Sequence, residues 1–292
     1  MPEKILCGTV VKGVGGVFTV VSDKGKYVCF APKKIRYNDA DIVVGDKVTF
    51  LPLHGNKGNI VDVLPRKNKL TRPEVANVDV CFVVVSPVPQ PDFLLADKVL
   101  VNCFVNDILP VLVVNKTDLD DGKLFAKVQN DYGKVCDIVA VCAKNNDVQS
   151  LKNYINNKVV CFAGQSAVGK TSLLNALCPS LQEKIGGLSQ KSGRGTHTTR
   201  HASLHSMCDG YVVDTCGFSL CDIDGVRSDQ LRLYFDDFVE IGHNCKFTGC
   251  THTVEPNCAV KQAVEDGQIS RERYQRYVDE YNELVEAEKR QY

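Results

Sequence analysis

The sequence predicts an α/β protein in three consecutive parts: a small β-barrel, a parallel α/β domain and a helical tail. Three observations carry the prediction. Five short strand-like runs fill the first 68 residues, continuous apolar runs alternate with helical stretches between residues 74 and 225, and three cysteines and a histidine crowd residues 245–258.

A chain of 292 residues is long enough for two or three domains with cores of their own. Its 44% hydrophobic and 24% charged content is that of soluble globular proteins rather than of disordered or membrane-embedded ones. No apolar run reaches the roughly 18 residues a membrane span needs. The N-terminus, MPEKILCGTV, lacks the long apolar core of a signal peptide. A cytoplasmic protein without a membrane partner is therefore expected, and in that compartment its 14 cysteines stay reduced. Most of them, such as Cys29, Cys81, Cys136 and Cys161, sit in apolar runs and read as small core residues. The net charge of zero hides an asymmetry. Residues 1–73 carry 13 Lys+Arg and 6 Asp+Glu, a balance of +7, and the rest of the chain carries −7. A basic N-terminal module on an acidic body suits an anionic partner.

The first part spans residues 1–68. The runs ILCGTVVK, GVFTVV, KYVCFA, KVTFLPL and NIVDVL are separated by the turn signals VGG, DKGK, VVGD and HGNKGN, which is the pattern of a five-stranded barrel of the oligonucleotide-binding (OB) type. Lys24, Lys26, Lys33, Lys34, Arg36 and Lys57 lie in or near its turns, where they would meet a phosphate backbone or simply form a solvated basic face. PRKNKLTRP, residues 65–73, reads as a proline-bounded linker.

The second part spans residues 69–225. VDVCFVVVS, ILPVLVVN, DIVAVCAK, VVCFAG and GYVVDTCG read as strands, and their continuous apolar character implies a parallel sheet covered on both faces. After VVCFAG comes GQSAVGKTS, which fits G-x-x-x-x-G-K-[ST]. A strand before it and a helix after it are what a phosphate loop requires, because the backbone N–H groups and the helix N-terminus must point at the phosphates. Gly164, Gln165, Ser166, Ala167, Val168, Gly169, Lys170, Thr171 and Ser172 are the expected phosphate-binding residues. Lys170 would reach the β- and γ-phosphates and Thr171 would give a hydroxyl to Mg²⁺.

A second element, NKTD (Asn115, Lys116, Thr117, Asp118), ends an earlier strand, at the edge where open α/β sheets bind ligands. The Asp118 carboxylate can accept from guanine N1–H and the 2-amino group, and adenine offers neither donor. Asn115 and Lys116 would brace the loop, with the lysine stem along the base. CAK at 142–144 resembles the short element that touches the guanine carbonyl, with Asn145 and Asn146 where a glycine is usual. Downstream, the polar segment LSQKSGRGTHTTRH suits a mobile loop in which Thr198 or Thr199 senses Mg²⁺ and the γ-phosphate. In DTCG, Asp214 would hold Mg²⁺ through water and the Gly217 amide would meet the γ-phosphate. Phe218 follows, where many GTPases place a water-orienting glutamine, so hydrolysis is expected to be slow in isolation. His197 is the nearest polar side chain that could position water; the alternative is a solvated loop histidine. The parts of a GTP site are thus all present, but the base reader precedes the phosphate loop. Permutation joins old termini and opens new ones without changing the site, so the domain reads as a circularly permuted P-loop GTPase.

The third part, residues 226–292, opens with a helical stretch, DQLRLYFDDFVEI. In CKFTGCTHTVEPNC, Cys245, Cys250, His252 and Cys258 form a Cys₃His set able to close one tetrahedral structural zinc site; disulfides or inert cysteines are the alternative. In the last helix, Tyr274, Tyr277, Tyr281 and Leu284 recur near helical spacing and read as a docking face.

NKTD ahead of GQSAVGKTS, the GRGTHTTR segment and CKFTGCTHTVEPNC together resemble the bacterial ribosome small-subunit-dependent GTPase A family, and the resemblance covers essentially the whole chain. It implies a cytoplasmic, monomeric enzyme that binds the small ribosomal subunit and its rRNA late in maturation. It also implies slow GTP hydrolysis stimulated by the subunit, a role in release of an assembly factor, and GTP or GDP with Mg²⁺ as ligands. His197 matches the position the family implicates in catalysis, with Lys170, Thr199 and Asp214 beside it, Thr199 matching the first-switch threonine. Cys216 departs from the proline common there. Two other classes of function are open to the residues. A GTPase acting on a protein partner would show a flat salt dependence of binding. A zinc- and RNA-binding protein with a vestigial nucleotide site fits poorly with intact Lys170, Thr171, Asp118 and Asp214.

Overall fold

A computed structural model describes residues 5–32, 41–71, 74–179, 202–214, 223 and 225–290, with Asp214 described by its backbone alone. In chain order the strands and helices are β1 (Leu6–Val14), β2 (Val17–Ser22), β3 (Gly25–Phe30), β4 (Lys47–Leu53), β5 (Lys57–Val63), β6 (Lys69–Thr71), β7 (Glu74–Ala76), β8 (Val80–Val85), α1 (Phe93–Val105), β9 (Leu109–Val114), α2 (Lys123–Tyr132), β10 (Asp137–Ala140), α3 (Gln149–Lys152), β11 (Val159–Ala163), α4 (Lys170–Leu177), β12 (Ser203–Met207), β13 (Gly210–Asp214), α5 (Asp236–Gly242), α6 (Ala259–Glu265) and α7 (Arg271–Arg290). A 3₁₀ segment, Ser228–Tyr234, precedes α5. The chain divides into two compact units: Met1–Cys81 with Val148–Phe162 and Thr171–Phe218, and Phe82–Asp147 with Ala163–Lys170 and Ser219–Tyr292.

In the first unit β1 to β5 close on themselves in the order β1–β2–β3–β5–β4, with β4 returning to β1. This is the five-stranded barrel expected from the sequence. Alternation turns Val10, Phe18, Val20, Cys29, Val48, Phe50 and Ile60 inward to form its core, as the two-residue period of a strand requires. β11 and β13 pair in parallel, and β12 and β13 form an antiparallel hairpin. Residues 65–71 are not an open linker. Arg66 donates through Nε and Nη2 to the two oxygens of buried Asp46, at 2.7 and 2.8 Å, and β6 pairs with β7. A basic, proline-bounded composition reads as exposed, but one buried carboxylate suffices to draw the arginine in.

In the second unit β8, β9 and β10 lie side by side, with β9 and β10 parallel. All six residues of β8 are buried. Asp92 caps α1 by accepting from the Leu95 amide at 2.9 Å, which satisfies one of the donors a helix start leaves free. The tail belongs to the same unit. Leu231, Phe235, Phe238, Val260, Val264, Ile269 and Tyr277 gather with Val101 of α1 in one apolar cluster, against which Tyr274, Tyr281 and Leu284 pack. The tyrosine stripe expected to be a docking face is thus used by the chain itself. At the same junction Asp97 of α1, fully buried, accepts from Arg273 and Arg276 of α7. Arg273 also reaches Asp237 of α5, at 2.9 and 3.1 Å.

Glu280, one turn further along α7, is buried with both oxygens lacking a hydrogen-bond partner. Burial, reinforced by the charges of Asp97 and Glu283, holds its carboxyl well above the ordinary range, against the opposing pull of Lys98 and Arg273. A raised folded pKa in an acid means that the unfolded chain ionises first as pH rises. The associated stability is therefore complete below the ordinary value of 4.5 and is lost as pH climbs towards the folded value. Glu280→Gln should flatten that loss, with the unfolding free energy of wild type falling faster than that of the variant between pH 5 and 8, by up to ~1.4 kcal/mol per pH unit. Parallel denaturation profiles for the two proteins across that range would remove Glu280 as the cause.

Candidate functional site

β11 runs directly into the glycine-rich loop, and α4 begins at Lys170, which is the strand–loop–helix order a phosphate loop needs. Two glycines have steric reasons to be there. Gly164 has φ of 130° and a Cβ on it would fall 2.3 Å from the Val84 carbonyl oxygen; Gly169 has φ of 100° and a Cβ would fall 2.3 Å from Asn115 Nδ2. Only glycine combines those dihedrals with such approaches. Ser166 and Ala167 are exposed, Val168 is buried, and Thr171 and Ser172 are exposed at the helix start. Lys170 Nζ donates to its own loop, to the carbonyls of Gly164 and Gln165 at 2.6 and 2.7 Å. Burial lowers the Lys170 pKa from its usual value, which makes an anionic partner the more favourable.

The NKTD loop meets this one. Asn115 is buried at the end of β9; its Nδ2 donates to the Val168 carbonyl at 2.9 Å, and its Oδ1 accepts from the Ala143 amide at 3.2 Å. Lys116 adopts a left-handed φ of 62°. Its Nζ reaches the carbonyls of Val88 and Ala167, at 2.6 and 2.7 Å. Thr117 Oγ1 donates to the Val141 carbonyl at 3.2 Å. Two loops whose bonded residues lie 53 and 51 positions apart in sequence are thereby stitched into one edge. Asp118 accepts from the Lys144 ammonium at 3.1 Å on one oxygen and from the Cys142 thiol at 3.3 Å on the other. Lys144, then Cys142, hold the Asp118 carboxyl below its usual pKa, so it stays an acceptor able to take two donors at once.

Some contacts of this edge are invisible to motif reading. Gln165 accepts from the Asp92 amide at 2.8 Å and donates to the Gln90 carbonyl at 3.1 Å, tying the phosphate loop to the start of α1. The only signal for Lys144 and Cys142 was their place in the CAK element. His197, Thr198, Thr199, Cys216, Gly217 and Phe218 lie outside the described residues, as do Lys33, Lys34 and Arg36. Asp214 ends β13.

In the tail the ligand atoms of Cys245, Cys250, His252 and Cys258 all lie within 4.8 Å of one another. His252 Nδ1 is 3.3 Å from Cys258 Sγ and 3.6 Å from Cys245 Sγ, and the two sulfurs are 3.8 Å apart. Tetrahedral bonds of about 2.3 Å to sulfur and 2.0–2.1 Å to nitrogen would set the ligands about 3.8 and 3.5 Å apart, so the set fits one zinc ion with Nδ1 as the histidine donor. The ligand loop is fastened from outside. Glu255 accepts from the amides of Thr251 and Thr253 at 2.7 and 3.1 Å, and Tyr274 and Tyr277 donate to the carbonyls of His252 and Thr251. Burial pushes the Cys250 thiol up to about 12 and raises that of Cys258; a dication is what would hold such thiols as thiolates.

A phosphate loop opening a helix, braced by an NKTD loop that precedes it in the chain, defines a P-loop GTPase in circularly permuted order. The RsgA GTPase family model matches residues 63–224, and the chain belongs to that family. A small ribosomal subunit biogenesis GTPase RsgA from Caldanaerobacter subterraneus subsp. tengcongensis is 38% identical, over 98% of each chain. Its counterpart from Bacillus cereus is 39% identical over 99% of this chain and 100% of the relative. Among solved structures, YjeQ from Thermotoga maritima superposes with a TM-score of 0.84 at 36% identity, covering 97% of this chain and 99% of that one. YloQ, described as a circularly permuted GTPase, superposes with a TM-score of 0.83 at 31% identity, covering 98% and 96%. The chain is a GTPase, and no described helix is long and apolar enough to cross a membrane.

Proposed function

We propose that this GTPase acts in late maturation of the small ribosomal subunit, binding the subunit and its rRNA, hydrolysing GTP slowly alone and faster on the subunit, and aiding release of an assembly factor. The observation that carries the reading is the meeting of the two loops at Asn115–Val168 and Lys116–Ala167, together with relatives of nearly full length that are named for small-subunit biogenesis. Asp118 would read guanine. The loop from Gly164 to Ser172 would bind the phosphates, with Lys170 on the β- and γ-oxygens. Thr171, Thr199 and Asp214 would hold Mg²⁺, the Gly217 amide would sense the γ-phosphate and His197 would position water. The division of labour follows residues 1–68 for RNA, 69–225 for nucleotide and 226–292 for a zinc-stabilised tail, in a cytoplasmic monomer. The basic balance of residues 1–73 supports the RNA assignment.

The deciding experiment measures GTP hydrolysis with and without purified small subunits. Stimulation by small but not large subunits is expected, and equal rates under all conditions would overturn the reading. Lys170→Ala should lower the stimulated kcat by about 10²–10³-fold, the usual effect of losing one preorganised positive donor to the transition state, while the chain keeps its thermal stability. Metal analysis should return one zinc per chain. Cys250→Ala should lose the zinc and, with it, hydrogen-exchange protection in residues 245–258. Zinc-free protein that retains that protection would sink the structural role.

A further inference from the structure

Both oxygens of Asp118 already have partners within the chain, and the two partners differ in kind. The Cys142 thiol is buried, so it reaches Oδ1 from the protein side. The Lys144 side chain is 78% exposed and that of Asp118 is 18% exposed, so the ammonium meets Oδ2 from the solvent side, from which a base would arrive. Nothing else tethers Lys144 Nζ among the hydrogen bonds and ion pairs found for the described residues. The loop that carries it is firmly shaped. Cys142 and Asp147 form a bridge, Asn146 takes a left-handed φ of 58°, and the Ala143 amide is fixed on Asn115. The backbone of Lys144 is thus held beside the base edge while its side chain is free to swing away. A carboxylate oxygen has two acceptor positions, so the Cys142 bond leaves room for a guanine donor on Oδ1. An ammonium on Oδ2 is different, because it occupies the approach and neutralises the charge that would attract the base.

We propose that Lys144 is a latch on the guanine subsite: it occupies Asp118 in the empty protein and must leave before the base can bind. This rests on the reading of Asp118 as the guanine reader. The latch tunes affinity rather than selecting the base. It keeps the carboxylate paired when no nucleotide is present, and it makes guanine binding a competition between two donors for one acceptor. An exposed ion pair is a weak competitor, so its removal should tighten binding by a few-fold only, and the effect should fade as salt screens the pair.

The test is nucleotide binding by Lys144→Met, which keeps an unbranched stem of similar length without the charge, alongside Lys144→Arg, which keeps the charge. At low ionic strength Lys144→Met should bind GDP about two- to fivefold more tightly than wild type, through faster association. The gain should vanish near ~0.5 M salt, and Lys144→Arg should bind as wild type does. GDP affinity of the Met variant equal to or weaker than wild type at low salt, or a gain that persists in high salt, overturns the latch. Asp118→Asn run in parallel separates the two claims. If it leaves guanine affinity unchanged, the base-reader assignment fails and the latch fails with it. If it destroys guanine binding while Lys144→Met changes nothing, the latch alone is wrong.

Discussion

Asp118→Asn is expected to convert this enzyme from guanine to xanthine nucleotides. The carboxylate offers two acceptor oxygens, and guanine presents two donors, N1–H and the 2-amino group. Hydrogen bonds to a charged group contribute about 1.5–3 kcal/mol each, so losing the match at one of the two places should weaken GTP binding by at least roughly 10–10²-fold. An asparagine amide replaces one acceptor with a donor, which is what the 2-oxo group of xanthine needs, so XTP should bind in its stead. The surroundings favour a clean result. Asn115 and Lys116 hold the loop through their own bonds to Val168 and Ala167, and these do not involve Asp118. The measurement is competition of GTP, XTP and ATP for one fluorescent nucleotide on wild type and variant. Unchanged GTP affinity in the variant, or equal binding of ATP and GTP by wild type, would show that Asp118 does not read the base.

Arg273→Ala is expected to destabilise the chain by about 3–5 kcal/mol, the typical result of removing one partner from a buried ion cluster. The guanidinium is only 2% exposed. It lies between the rings of Tyr132 and Phe235, 4.8 Å from each centroid, and bridges Asp97 of α1 to Asp237 of α5. Burial opposes its charge, but Asp97 and Asp237 outweigh burial and raise its pKa. Truncation therefore strands Asp97 with Arg276 alone and opens a void between two aromatic rings. Because α7 is fixed on α1 through these groups, hydrogen exchange in α5–α7 should accelerate before that in β8 and β9. A second variant, Arg273→Met, should recover part of the loss, because it refills the space between the rings while the Asp97–Arg276 pair is kept. Wild-type thermal stability in Arg273→Ala would mean that the cluster is not what fastens the tail.

The local sequence determined which chemistries this protein can perform, and it did so through motifs whose residue types have steric or electronic reasons to be there. Gly164 and Gly169 are legible because only glycine permits those approaches. The five barrel strands are legible because alternation and turn residues act within a few positions of each other. The Cys₃His set is legible because four ligands occur within 14 residues, and that density needs no folding to be seen. The permuted order of base reader and phosphate loop is likewise written along the chain.

What the tertiary structure decided are the pairings between residues far apart in sequence. Nothing near Arg66 announces Asp46, so a strand-forming anchor read as a linker. The tyrosine stripe of α7 could be seen as apolar but not assigned a partner, since periodicity defines a face and not what covers it. Asp97 and Arg273, 176 positions apart, look like ordinary helix-surface charges until the tail folds over α1 and removes both from water. Lys144 looked like part of a short base-contact element; its grip on Asp118 depends on two loops being brought to one edge. The physical reason is the same in each case: desolvation turns a side chain of little consequence into one that must be paired, and desolvation is a property of the packed chain.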